Sequence, residues 1–250
     1  MPVPHRNNLA LAVLVAAALV ALGCVAAPQP EDQAGGPARP VATTTRAAAP
    51  KEPLDPDVDG TDTVEEFRSD VDDARSIAEK YWKDQFDKSG LDFEPVAQLI
   101  PYERDGEVGC GDQPLGLNNA AYCSAGDFIA YDANWAFGAF QDIGDAFIFY
   151  LLGHEYAHAI QRRLNIQKQF TIEQELQADC MAGAYIGDME KAESLRLEKG
   201  DLGELAAGLD AVGDDPGQPW FADNAHGTAK QRTRAFSNGY NDSLEPCDLT

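Results

Sequence analysis

The fold is decided by one stretch, an apolar run that leads directly into the pattern H-E-x-x-H: Phe147-Ile148-Phe149-Tyr150-Leu151-Leu152-Gly153-His154-Glu155-Tyr156-Ala157-His158. Such a run predicts a buried helix. On a helix, His154 and His158 lie four residues apart and project from one face, where two neutral imidazoles can hold one Zn²⁺. Glu155 lies about 100° further round the helix, within reach of a water on that ion. The alternative is a buried helix with two core histidines and no metal.

A third metal ligand is expected from the segment 173–179, which reads E-Q-E-L-Q-A-D. A catalytic zinc ion needs three protein ligands and an open fourth position. Glu175 and Asp179 share a helix face, so one carboxylate can bind the metal while the other accepts the distal N–H of a ligand histidine. Four residues after Glu173 stands the neutral Gln177, so Glu173 lacks the carboxylate partner that Glu175 has. This favours Glu175 as the ligand and Asp179 as the outer partner. The alternative is a solvated face of an acidic helix.

The first 24 residues have the pattern of an export signal. Arg6 supplies positive charge, and the apolar stretch from Leu9 to Leu22 is too short to span a bilayer comfortably. The sequence Ala21-Leu22-Gly23-Cys24 is similar to a bacterial lipobox, so we expect residues 1–23 to be a signal peptide and Cys24 to carry lipid. An ordinary cleaved signal with an incidental cysteine is the alternative. Both predict an exported protein, either lipid-anchored to a bacterial membrane in the cell envelope or secreted.

Composition separates the rest of the chain into a linker and a folded domain. Residues 24–60 are rich in Ala, Pro and Thr without periodic apolar positions, which predicts a disordered linker. Residues 61–250 have the length of one ordinary domain. The formal net charge of −23 opposes binding to nucleic acid and to membranes through a basic patch. Membrane contact is therefore expected through the N-terminal lipid.

Four cysteines follow Cys24, and an even number in an exported chain predicts two disulfides with three possible connectivities. We favour Cys110–Cys123, which closes a short loop between two candidate strands. We also favour Cys180–Cys247, which ties the C-terminus to a helix. A metal-binding role for Cys180 is the alternative.

Periodicity and turn composition predict an α+β domain that is mainly helical, with a small and mostly antiparallel sheet. The predicted elements are a long helix from the capping box at Thr63 to about Ser89, a strand within 93–102, a hairpin of 119–122 and 128–131, and helices from about 142–145 to 164 and from about 171 to 185 or beyond.

Three blocks of sequence resemble the neutral zinc metallopeptidases of bacteria: H-E-Y-A-H-A-I-Q at 154–161, E-L-Q-A-D-C at 175–180, and H-G-T at 226–228 with Q-R at 231–232. The resemblance spans about residues 63–247 and implies a single zincin-like domain with thermolysin-type ligands. It implies that zinc is bound by His154, His158 and Glu175, with Glu155 as the base and Asp179 as the outer partner. Ala157 and Ala159 depart from the family, which often has Gly and His there, but neither position carries a ligand.

The expected activity is that of a zinc endopeptidase, in which Glu155 passes the proton of a zinc-activated water to the leaving amine. His226 is the candidate donor to the oxyanion, and Arg232 is a weaker one. The alternative is that His226-Gly227-Thr228 begins a helix while Arg232 pairs with a buried carboxylate.

Two further alternatives concern the substrate and the function. The strand 119–122 is either an edge strand that pairs with an extended peptide or protein substrate, or an ordinary hairpin strand. The competing function is a non-catalytic envelope lipoprotein whose structural zinc site helps it bind a protein partner. The intact Glu155 favours the enzyme, because a structural site needs no base.

Overall fold

The computed structural model describes residues 63–249, so the predicted signal peptide, Cys24 and the linker lie outside the described residues. Within this part of the chain, the helices are α1 (Val64–Ser89), α2 (Ala133–Asp142), α3 (Ala146–Arg163), α4 (Thr171–Lys191), α5 (Asp201–Ala211) and α6 (Ala229–Asp242). The strands are β1 (Gln98–Tyr102), β2 (Gly109–Cys110), β3 (Gln113–Pro114), β4 (Ala120–Cys123) and β5 (Phe128–Asp132), and a short 3₁₀ turn spans Glu245–Cys247. The predicted α+β class is confirmed.

The main sheet has three strands in the order β1-β5-β4. The predicted hairpin forms β4 and β5, which pair antiparallel, whereas β1 pairs parallel with β5. The strands β2 and β3 form a separate antiparallel pair. Because β4 pairs only with β5 among the described strands, it is an edge strand as well as a hairpin strand, and its pairing with a peptide substrate stays a prediction.

Helix α3 runs through the core, and 15 of its residues are buried, from Ala146 to Gln161. Asp145 caps its first turn, where the side chain accepts a hydrogen bond from the N–H of Ala146. Helices α1 and α4 pack against it. Among residues 63–249, no helix combines the length and the apolar character that crossing a membrane requires.

Helices α4 and α6 approach each other closely because glycines line their contact. A Cβ atom on Gly239 of α6 would lie 1.8 Å from the carbonyl oxygen of Cys180 on α4, and one on Gly183 would lie 2.1 Å from that of Phe236. This contact places the second half of α6 against the middle of α4, and Arg232 in the first turn of α6 bonds there to the predicted outer partner Asp179.

Two disulfides fasten the domain, and both join the pairs that the sequence favoured. Cys110 is bonded to Cys123, which links β2 to the end of the edge strand β4. Cys180 is bonded to Cys247, which links α4 to the C-terminal turn. Cys180 is therefore a disulfide partner, and the alternative of a metal-binding thiolate is wrong.

Candidate metal centre

Two helices supply the predicted metal ligands. His154 and His158 lie one turn apart on α3, and Glu175 lies in the second turn of α4. Between them the chain turns at Asn165, which adopts the left-handed conformation (φ 53°) that ends the helical path. The three side chains form one group whose ligand atoms all lie within 4.8 Å of one another.

The donor atoms have separations close to those around a tetrahedral zinc ion, and each histidine contacts a different oxygen of Glu175. Nε2 of His154 lies 3.2 Å from Nε2 of His158 and 3.2 Å from Oε2 of Glu175. Nε2 of His158 lies 3.4 Å from Oε1 of Glu175. In a tetrahedral zinc site with bonds near 2.0–2.1 Å, neighbouring donor atoms lie about 3.3–3.4 Å apart. Two imidazole nitrogens and one carboxylate at this spacing fit Zn²⁺ and leave the fourth position for a water or substrate.

The outer nitrogen of His154 is held by a buried ion pair. Its Nδ1 lies 2.9 Å from Oδ1 of Asp179, the predicted outer partner. The Asp179 carboxylate also accepts hydrogen bonds from Tyr150 Oη (2.8 Å) and from two nitrogens of Arg232 (2.9 Å each). Since a carboxylate only accepts, Nδ1 must carry a hydrogen, so in the neutral imidazole Nε2 is the nitrogen whose lone pair a metal would take.

The outer nitrogen of His158 is held by Gln161, a partner that the sequence analysis missed. His158 Nδ1 lies 2.8 Å from Oε1 of Gln161, whose residue is 1% exposed. The signal was present in the sequence, because a residue three positions after a helical ligand lies on the same face. The sequence analysis assigned Gln161 no role, because its side chain is neutral and is not one of the expected zinc ligands.

Negative charge dominates the electrostatics around the donor atoms. Burial alone would lower the pKa of His154, but hydrogen bonds and charges from Asp179 and Glu175 raise it to about 10. Burial would raise the pKa of Glu175, but its hydrogen bonds to both histidines hold it well below its usual range. Surroundings that stabilise positive charge on His154 also stabilise a divalent cation between the three ligands.

The donor atoms line a cleft of about 1140 Å³ that also runs along β4. Glu155, which follows the first ligand, is 6% exposed and lines the same cleft. Its Oε2 accepts a hydrogen bond of 2.7 Å from the backbone N–H of Tyr122 on β4. The carbonyl of Asn119 faces β5, where it accepts from the N–H of Asp132, so the alternate residues Ala120 and Tyr122 direct their backbone groups to the free edge.

His226 and Arg232 both line the cleft, but their surroundings differ. Arg232 is 4% exposed and donates to Asp179, to the Tyr150 hydroxyl and to the carbonyl of Val212. It thus pairs with a buried carboxylate, as the alternative interpretation held. The side chain of His226 is 48% exposed, with Nδ1 3.6 Å from Oδ1 of Asp214. Thr228 caps α6, which agrees with the helix start proposed for the same block.

Comparison with known proteins matches residues 41–249 to the family described as "Putative neutral zinc metallopeptidase". The chain belongs to this family. The family name specifies zinc, which is the metal that the donor atoms of His154, His158 and Glu175 fit. The match begins inside the segment that composition predicted to be a linker.

Two curated relatives are each named "Uncharacterized protein YpfJ", one from Escherichia coli strain K12 and one from Escherichia coli O6:H1 strain CFT073. Each is 28% identical over 198 residues, which cover 68% of this chain. The match covers 66% of each relative, so this chain spans just under two thirds of their length. No solved structure gives a significant match.

Proposed function

We propose that the protein is a zinc-dependent endopeptidase, with zinc held by His154, His158 and Glu175 and with Glu155 as the general base. The observation that carries the proposal is the group of donor atoms separated by 3.2 to 3.4 Å, in which each histidine contacts a different oxygen of Glu175; Glu155 lines the same cleft. A structural zinc site is normally closed by four protein ligands, whereas this group offers three at the wall of an open cleft.

In this proposal the chain's own residues bind, orient and transfer a proton. When bound, zinc lowers the pKa of its water and polarises a substrate carbonyl. Tyr122 holds one oxygen of Glu155 by its backbone N–H, which leaves the other oxygen to take a proton and return it to the leaving amine. The edge strand β4 offers backbone groups to an extended peptide.

His226 is the proposed donor to the oxyanion. Its ring is about half exposed in the cleft, whereas the donors of Arg232 are directed to protein acceptors. A donor to developing negative charge needs an N–H that substrate can reach. We therefore assign Arg232 to orientation of Asp179 and leave the oxyanion to His226.

The test is peptide cleavage by wild type and by Glu155→Gln, with zinc content measured in each. Loss of a general base lowers turnover by about 10²–10⁴-fold, while the unchanged ligands keep about one zinc per chain. The control is Glu103→Gln, an exposed carboxylate that does not line the cleft. Equal activity of Glu155→Gln and wild type would refute the base. Zinc-loaded wild type that cleaves no denatured protein or peptide pool would favour the non-catalytic, partner-binding function.

We further propose that the protein is exported and lipid-anchored through Cys24. The N-terminal sequence supports this, and two disulfides suit an oxidising compartment. Cell fractionation should find the full chain with the membrane and Cys24→Ser released from it. A wild-type chain that remains in the cytoplasm would contradict export.

A further inference from the structure

A chain of side-chain amides leads away from His158 to the C-terminus. Nε2 of Gln161 donates to Oε1 of Gln177 (3.0 Å) and to the backbone carbonyl of Gln174 (2.8 Å). Nε2 of Gln177 donates to the carbonyl of Cys247 (2.9 Å) and to that of Asp248. Gln161 is 1% exposed and Gln177 is 5% exposed, so water competes little for these groups.

The polarity of this chain is fixed from its far end. Backbone carbonyls can only accept, so the NH₂ group of Gln177 must face Cys247 and its amide oxygen must face Gln161. The NH₂ group of Gln161 must then face Gln177, which turns the Gln161 oxygen toward His158. An acceptor at that position requires hydrogen on Nδ1 of His158, and Nε2 is left with its lone pair.

The C-terminal carbonyls are themselves held in place by covalent and ionic contacts. Cys247 is bonded to Cys180 on α4, three residues after Gln177. The next residue, Asp248, receives two hydrogen bonds from Nζ of Lys168, one to its carbonyl (3.1 Å) and one to its side chain (2.7 Å). The acceptors that orient Gln177 therefore have fixed positions relative to α4.

We propose that Gln161 and Gln177 are positioning residues of the metal centre, which transmit the orientation of the C-terminal carbonyls to His158. This inference rests on the proposed zinc site. It assigns a role to the last turn of the domain, because the carbonyls of Cys247 and Asp248 decide the tautomer of a ligand that lies on another helix. Loss of either amide lets His158 rotate or place its hydrogen on Nε2, where it blocks the metal.

The experiment measures zinc affinity, by competition with a chromophoric chelator, in the full domain carrying Gln161→Met or Gln177→Met. Methionine keeps the length of the side chain and removes the amide. We expect zinc binding about 10–100-fold weaker for Gln161→Met, as for other outer partners of ligand histidines, and a smaller loss for Gln177→Met. The matched control is Gln85→Met, because Gln85 is a half-buried glutamine of α1 that does not line the cleft.

A second readout separates positioning from general destabilisation. In the cobalt-loaded proteins, the visible absorption bands report ligand geometry, and we expect them to shift in Gln161→Met and Gln177→Met but not in Gln85→Met. Urea unfolding of each variant shows whether it is folded during the measurement.

The outcomes distinguish this inference from the function on which it rests. A wild type that binds no zinc, or that binds it equally well after His158→Ala, overturns the proposed site. A wild type that binds zinc through His158, with affinities within twofold and unchanged cobalt spectra in both methionine variants, overturns the positioning chain alone. A loss confined to Gln161→Met overturns the part of the proposal that reaches the C-terminus.

Discussion

His154 and His158 face the same point from one helix, yet their outer nitrogens bond to opposite kinds of partner. His154 bonds to the carboxylate of Asp179, which pairs with Arg232 in a fully buried network. His158 bonds to the neutral amide of Gln161. Both partners fix the same tautomer, so orientation of a ligand imidazole does not require charge. Charge adds a field that favours a cation, together with a desolvation penalty that the neutral chain largely avoids.

Removing the negative charge of Asp179 should have the largest effect on stability and on zinc affinity. Asp179→Asn keeps an acceptor for His154 but leaves the guanidinium of Arg232 buried without its counter-charge. We expect the free energy of unfolding to fall by about 3–5 kcal/mol and zinc affinity to fall by about 10–100-fold. Urea unfolding and zinc titration measure the two effects.

Asp210→Asn is the control for Asp179→Asn, because Asp210 is exposed on α5 and its change should alter stability by less than about 0.5 kcal/mol. If Asp179→Asn unfolds at the wild-type urea concentration, the buried ion pair does not stabilise the domain. If stability falls while zinc affinity stays, Asp179 supports the fold but does not support the ligand.

The neutral chain from His158 through Gln161 and Gln177 can be tested at the C-terminal carbonyls. The test removes the Cys180–Cys247 disulfide with Cys180→Ala and Cys247→Ala together. Disulfides typically stabilise by about 2–4 kcal/mol. The sequence separation is 67 here and 13 for Cys110–Cys123, so chain entropy predicts a loss roughly 1.5 kcal/mol greater than in the matched double variant of that pair. Both losses are measured by urea unfolding.

The same pair of disulfide variants addresses the metal. Without Cys180–Cys247, the carbonyls that orient Gln177 lose their covalent anchor, and we expect zinc affinity to fall by less than about tenfold, since Lys168 still holds Asp248. The variant that lacks Cys110–Cys123 should keep wild-type affinity. Equal zinc affinities in the two variants would show that the covalent link does not contribute to positioning.

The difference between the two histidines also explains what the sequence could predict. Helical periodicity pairs His154 with His158 on α3 and Glu175 with Asp179 on α4, and the need of a catalytic zinc ion for a third ligand joined the two pairs. The neutral chain joins residues 16 and 70 positions apart, from Gln161 to Gln177 and from Gln177 to Cys247. No comparable chemical requirement links Gln161 to Gln177 or Gln177 to Cys247, so the sequence carries no signal for either contact.

The same limit applies to the fold. The hairpin of β4 and β5 was predicted because a short turn joins its strands, whereas the parallel pairing of Gln98–Tyr102 with Phe128–Asp132 depends on how the chain returns across about thirty residues. Helix α2 was missed although Asp132 caps it, because its apolar residues merge with the run that leads into α3. Helix α5 was missed because its glycines and alanines give a weak periodic signal.

The smallest predicted effect concerns Glu204 of α5. Its charged neighbours are acidic like itself, whereas Asp179 pairs with the cation Arg232. Burial and the charges of Asp145 and Asp201 raise the pKa of Glu204 from 4.5 to about 7. The folded protein therefore holds a proton that the unfolded chain releases, so this contribution to stability is present below pH 4.5 and is lost as pH rises to about 7.

Glu204→Gln removes this loss of stability at high pH and keeps an acceptor for the N–H of Ala146. We expect Tm to rise by on the order of 1–3 °C at pH 8 and to match wild type near pH 4.5, whereas the control Glu65→Gln, exposed on α1, should change Tm little at either pH. An equal gain at both pH values would mean that packing, rather than like charge, is the cause.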